Sequence, residues 1–122
     1  MIGYTTLGTN HFDDAAKFYD ELLKVCGASR LMELDGFILW GTSFDQACVA
    51  LVKPFDGAAA TAGNGVMVAI RVSSTEEVDA LYNKAIELGA ANEGAPGQRM
   101  EGFYAGYFRD LDGNKLNAFV AN

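Results

Sequence analysis

The side chains able to do chemistry in this 122-residue chain are few and scattered. His11 is the only histidine, so no imidazole cluster can form around a metal ion. It stands just ahead of "FDDAAKFYDELLKV" (12–25), a place that reads as an exposed helix start, where a side chain caps backbone amides rather than acting as a general base. Cys26 and Cys48 have neither metal-ligand spacing nor the pattern of a disulfide framework. With no histidine nearby in the chain to activate a thiolate, both read as small buried hydrophobes of a reducing compartment. Arg99, Met100 and Glu101 fall in "EGAPGQRMEG" (93–102), which reads as a mobile loop. That loop is either an ordinary connection or a lid whose Arg99 binds an anionic group. Asp110 and Asp112 read as turn-forming residues, and "GNG" (63–65) as a turn rather than a phosphate loop.

The elements that must position these residues follow from periodicity. "IGYTTLGT" (2–9), "SRLMEL" (29–34), "FILWGTS" (37–43) and "ACVALV" (47–52) read as strands, with Asp35-Gly36 as a hairpin turn between the second and third. In 12–25, Phe12, Ala15, Ala16, Tyr19, Leu22 and Leu23 make one apolar helical face, ended by Gly27. Residues 54–65 form a loop, after which the pattern restarts. "VMVAIRV" (66–72) reads as a strand. Ser74 and Glu77 make a capping box for a helix over 75–88 that ends at Gly89. "FYAGYFRD" and "NKLNAFV" read as closing strands around Leu111-Asp112-Gly113.

The two halves are in register: Phe18-Tyr19 matches Leu81-Tyr82, and "CGA" (26–28) matches "LGA" (88–90), a period of about 60 residues. Two copies of a βαβββ module are therefore expected, about 1–55 and about 64–122, in one α+β domain. The modules pair to form a curved mixed sheet around a cleft, with the helices outside.

Composition narrows the function classes. The formal net charge is −7, which disfavours a nucleic-acid backbone as partner and would attract a cationic ligand if focused in a cleft. No apolar run is long enough to span a membrane, and no basic segment followed by a hydrophobic stretch marks a signal peptide. A cytoplasmic protein is the expectation.

The paired modules, "FDDAAKFYDELL" and above all "FYAGYFRDLDGNKLNAF" resemble the vicinal oxygen chelate superfamily, on its glyoxalase-like branch. That superfamily includes glyoxalase I, bleomycin-resistance proteins, fosfomycin-resistance enzymes and extradiol dioxygenases. The resemblance implies paired βαβββ units, a small-molecule cleft and commonly a homodimer. It also implies metal ligands on the first strand of each module and on the last strand. Those positions hold Tyr4, Met67 and Asn117, with a fourth near Cys48 or Ala50. A phenol, a thioether and an amide do not offset the hydration a hard or borderline divalent ion would lose, so no metal and no cofactor is expected.

What is left for the cleft is a set of ligand-contacting candidates. Tyr4 and Met67, related by the repeat, should face each other, with Thr6 and Ala69 two residues on and hence on the same face. Asn117 projects from the closing strand, Trp40 forms a wall, and Cys48 and Arg99 lie at the margins. Either Tyr104 and Gly106 or Ala105 and Tyr107 face inward. No positive charge is evident within the sheet. The function expected is metal-free binding or sequestration of a small, partly aromatic or amphipathic molecule, in the manner of bleomycin-resistance proteins. The alternatives are a glyoxalase-like lyase, with Tyr4, Glu101 or His11 as acid–base groups, and a protein-interaction role with a vestigial cleft.

Overall fold

The computed structural model describes residues 1–122. The first module runs β1 (Tyr4–Gly8), α1 (Phe12–Lys24), β2 (Ser29–Leu34), β3 (Phe37–Gly41) and β4 (Cys48–Val52). The second runs β5 (Val68–Arg71), α2 (Thr75–Glu87), β6 (Ala91–Met100), β7 (Phe103–Arg109) and β8 (Lys115–Ala121). The α+β class and the two βαβββ modules are as the sequence pattern implies. The stretch 93–102 is not a loop or lid: most of it is β6, paired with β7. Its glycines and proline survive in a strand because β6 is a sheet edge, and the pairing shifts at Asn92/Gly94, Gly94/Gly97 and Gln98/Met100.

Each module forms its own four-stranded sheet, in the orders β1-β4-β3-β2 and β5-β8-β7-β6. The pairs β1–β4 and β5–β8, each at one edge of its sheet, are parallel, and the remaining pairs are antiparallel. No strand of one sheet is hydrogen-bonded to the other, so one chain carries two separate sheets.

The helices end alike. Gly27 and Gly89 adopt φ of 79° and 103°, and the amides of Ala28 and Ala90 donate back to the carbonyls of Leu23 and Ala85 at 3.0 and 2.9 Å. They begin differently. Ser74 Oγ accepts from the Glu77 amide at 3.2 Å, and Glu77 reaches back to the Ser73 amide at 3.0 Å. At α1 the His11 side chain caps nothing; the Thr9 hydroxyl accepts the His11 amide at 2.9 Å instead.

One core serves both modules. Tyr19 and Leu22 of α1, Trp40 and Leu51 of the first sheet, Val78 and Leu81 of α2, and Phe108 and Leu116 of the second sheet all belong to it. The two helices touch each other as well as their own sheets. The turn after β7 locks the modules. Asp110 is buried and its carboxylate accepts the Tyr19 hydroxyl at 2.5 Å, the amides of Asp112 and Asn114 at 2.9 Å, and the Asn114 side chain at 3.0 Å. Asn114 also donates to the Gly8 carbonyl at 3.0 Å, and Asp112 accepts from the Asn10 amide at 2.9 Å. The terminal D-x-D-G-N motif thus joins the modules in addition to shaping a turn.

Candidate functional site

Strand alternation gives every sheet one face toward its helix and one face free of helices. In the first sheet Leu7, Ile38, Trp40 and Leu51 enter the common core. Tyr4, Thr6, Cys48 and Ala50 lie on the opposite face, since Tyr4 pairs with Cys48 and Thr6 with Ala50. In the second sheet Val68, Ile70, Phe108, Leu116 and Ala118 take the core side. Ala69, Arg71, Lys115, Asn117, Phe119, Ala105 and Tyr107 occupy the free face. Because the helix-bearing faces share one core, the two free faces are the surfaces left for a ligand.

The free face of the first sheet carries an open groove of about 890 Å³, walled by Tyr4, Thr6 and Phe37 and by the segment 52–61. Asp35, Lys53 and Asp56 reach its rim. The groove holds only residues between Tyr4 and Thr61. Tyr4 and Met67 therefore do not line a common cleft within one chain, contrary to the expectation from the repeat. Cys48 is buried beside Leu39 and Ala50 under Leu31, and its thiol donates to the Gln46 carbonyl at 3.3 Å. A smaller groove of about 400 Å³ lies between α1 and the β2–β3 turn, but two of its charged residues, Arg30 and Glu33, are paired with each other.

The free face of the second sheet is the more polar. Arg71 lies over Phe119 at 4.9 Å from guanidinium carbon to ring centroid. Arg99 and Lys115 both lie over Tyr107, at 5.3 and 5.5 Å. Arg109 is paired with Glu93 and donates to the Gly113 carbonyl at 2.9 Å. The Arg109 hydrogen bond holds the Glu93 carboxyl below its ordinary range, so Glu93 is committed as an anion to that partner. The face is cationic in an acidic chain, which corrects the expectation that no positive charge stands within the sheet. Arg71 and Lys115 sit on strands whose alternation already pointed them this way. Their pairing with Phe119 and Tyr107 needed the register.

Asn117 is 1% exposed, and its Oδ1 is buried without a hydrogen-bond partner. It pairs with Ala69 on one side and Tyr107 on the other. Two candidates fall elsewhere. Trp40 points into the core, where its indole N–H donates to Asp20 at 2.9 Å, so it walls no cleft. Tyr104 faces α2 and donates its hydroxyl to Asp79 at 2.7 Å, which raises its pKa. The open choice on β7 thus resolves to Ala105 and Tyr107 on the free face. Met67 lies just before β5 and is partly exposed. His11 and Glu101 are exposed, His11 ahead of α1 and Glu101 in the β6–β7 turn.

The register also settles which residues are equivalent. If Tyr4 matches Met67, then Thr6 matches Ala69, and their partners Ala50 and Asn117 match each other. The fourth ligand position that the resemblance implies then falls at Ala50, whose side chain has no donor atom. Nowhere do three His, Cys, Asp or Glu side chains group so as to hold a metal ion. The donors present therefore do not fit the divalent site that the resemblance implies. No helix is long and apolar enough to cross a membrane.

Similar proteins bear on this geometry. A sequence model of the Glyoxalase/Bleomycin resistance protein/Dioxygenase superfamily matches residues 1–118. The crystal structure of a glyoxalase/bleomycin resistance protein from Albidiferax ferrireducens is 30% identical and superposes with a TM-score of 0.90, over 98% of this chain and 97% of that one. A hypothetical protein from S. aureus is 28% identical with a TM-score of 0.75, covering 99% and 93%. Lactoylglutathione lyase from Agrobacterium tumefaciens shares the fold at 22% identity and a TM-score of 0.69, covering 98% and 92%. A search of curated proteins finds no match. Two βαβββ modules, each with one parallel edge pair, matched along nearly the whole chain in sequence and in space, lead to one conclusion: the chain belongs to the Glyoxalase/Bleomycin resistance protein/Dioxygenase superfamily.

Proposed function

We propose that this protein binds or sequesters a small, partly aromatic or amphipathic molecule on its helix-free sheet faces, without a resident metal ion. The observation that supports this most is the donor set at the positions where the resemblance implies ligands. Tyr4, Met67, Ala50 and Asn117 offer no imidazole and no carboxylate, and no metal-holding cluster exists elsewhere. What the faces do offer is aromatic surface, hydroxyls, an amide and cations, the usual make-up of a small-molecule site.

The protein acts as a homodimer in this reading. Tyr4, Met32, Leu34 and Met67 are large apolar side chains left exposed on or beside the free faces. Setting the first sheet of one copy over the second sheet of its partner would cover both faces and enclose a ligand between them.

The test joins three measurements on protein purified without chelators. Elemental analysis is expected to show less than stoichiometric nickel, zinc, manganese or iron; a full equivalent would replace this reading with the lyase one. A panel of small aromatic compounds is expected to include some that raise the melting temperature, because a ligand bound only to the native state stabilises it. Sedimentation is expected to give twice the monomer mass of 13.0 kDa.

A further inference from the structure

Nine basic residues face sixteen carboxylates in this chain, and three of the nine are gathered on one helix-free face with no carboxylate partner. The ion pairs join Arg30 to Asp20 and Glu33, Lys84 to Glu87, and Arg109 to Glu93. Arg71, Arg99 and Lys115 make none. They rest instead on Phe119 and Tyr107. A guanidinium lying on a ring keeps its N–H edge free for in-plane hydrogen bonds, and its other plane free to stack.

The seat of Arg99 is built into β6. One of its terminal nitrogens donates to the Ala95 carbonyl at 2.6 Å. Side chains at Gly94 and Gly97 would crowd it: an added Cβ would stand 3.2 and 3.1 Å from its terminal nitrogens. Gly94 also has φ of 146°, so no other residue takes its place without strain. The glycines of this edge strand thus leave room for one arginine to lie across the strand onto Tyr107.

Two costs stand on this face. Arg99 and Lys115 share one ring, and like charges brought together repel. Beside them on β8, Asn117 Oδ1 is buried without a donor. An anion cancels the first cost and a hydroxyl or N–H group cancels the second. Resting on the small-molecule reading above, we infer that this face takes a planar anionic ligand: a carboxylate on an aromatic ring that also bears a hydrogen-bond donor. The cations bind the carboxylate, a guanidinium plane stacks on the ring, and Asn117 accepts the donor. The charge preference is opposite to the one that the net charge of −7 would suggest, because on this face Glu93 is already paired with Arg109 and the local field of the cations outweighs the solvent-screened carboxylates elsewhere.

The experiment compares three probes of one shape by calorimetry, with backbone amide NMR to place each on the full-length protein: 4-hydroxybenzoate, neutral 4-hydroxybenzamide and cationic 4-hydroxybenzylamine. The anion is expected to bind about tenfold or more tighter than the amide, the margin of one charge-assisted hydrogen bond, and to weaken as salt is added. Its shifts should fall on β7 and β8 around Tyr107 and Asn117. Arg71→Gln and Arg99→Gln, both exposed positions, should each weaken the anion about tenfold while leaving the amide unchanged. Equal or tighter binding of the amide or the amine on the same strands overturns the anion preference and leaves the binding reading standing. Anion binding only after a divalent metal is added keeps the preference and removes the metal-free reading. No binding by any probe overturns both, whereas loss of the dimer in the Gln variants would assign the cations to the interface and overturn the anion preference.

Discussion

Asn117 carries the tension of this molecule at the scale of a single residue. It stands where the resemblance implies a last-strand ligand, its carbonyl oxygen is buried and nothing in the chain donates to it. Such an oxygen costs about 1–3 kcal/mol, and a fold keeps one where a bound group supplies the missing donor. Asn117→Leu, close in shape, removes the unmet acceptor. Urea unfolding should show the variant about 1 kcal/mol more stable than wild type, while calorimetry shows weaker 4-hydroxybenzoate binding. A variant that is both less stable and unchanged in binding would place the residue among structural amides. The identity of Asn117 was legible in the chain, and so was its place on the closing strand. Its isolation was not, because a side chain finds or misses partners only once its neighbours are packed.

At the scale of the element, the two helices make a natural control for each other. Both bury one face and both stop at a glycine with positive φ, yet only α2 has a side-chain cap. Ser74→Ala should cost about 1 kcal/mol, whereas His11→Ala should stay within about 0.5 kcal/mol, both read from urea midpoints. Comparable losses in the two variants would mean that the His11 side chain supports α1 in some other way. Ser74 and Glu77 have the capping-box spacing, so this cap was readable from the chain. The Thr9 bond to the His11 amide was not, since it depends on how the chain leaves β1. The edge strand β6 was hidden for a related reason. Its glycines and Pro96 are loop residues by propensity, and only pairing with β7, with shifts in register to absorb them, makes the segment a strand.

The whole molecule depends on the contact between modules. Asp110 receives four hydrogen bonds, and one of them crosses from Tyr19 of α1. Tyr19→Phe should cost about 2 kcal/mol, the range for a buried bond to a charged acceptor. Burial first, and then the Asp110 charge and hydrogen bond, raise the Tyr19 pKa well above its ordinary value. The folded state therefore favours the neutral phenol. That contribution is complete below about pH 10, the ordinary tyrosine value, and is lost as pH rises through the higher folded value. Wild type should accordingly lose its stability advantage over Tyr19→Phe in alkaline urea titrations. An advantage that stayed constant from neutral to strongly alkaline pH would contradict this account.

The chain alone determined the class of fold and most of its parts. Helical periodicity over 12–25 and 75–88, glycine stops at 27 and 89, the Asp35-Gly36 turn and the repeated pattern are local signals, decided within a few residues by backbone sterics and side-chain spacing. The resemblance that the chain carries implies ligand positions at Tyr4, Met67 and Asn117. Tertiary structure alone decided that Trp40 and Tyr104 point to the core, that Tyr4 and Met67 line no common groove, and that Arg71, Arg99 and Lys115 converge on two rings. The physical reason is that a strand sends alternate residues to opposite faces, so a shift of one position exchanges core for surface. Register and sheet order, set by packing across the whole chain, choose between the two.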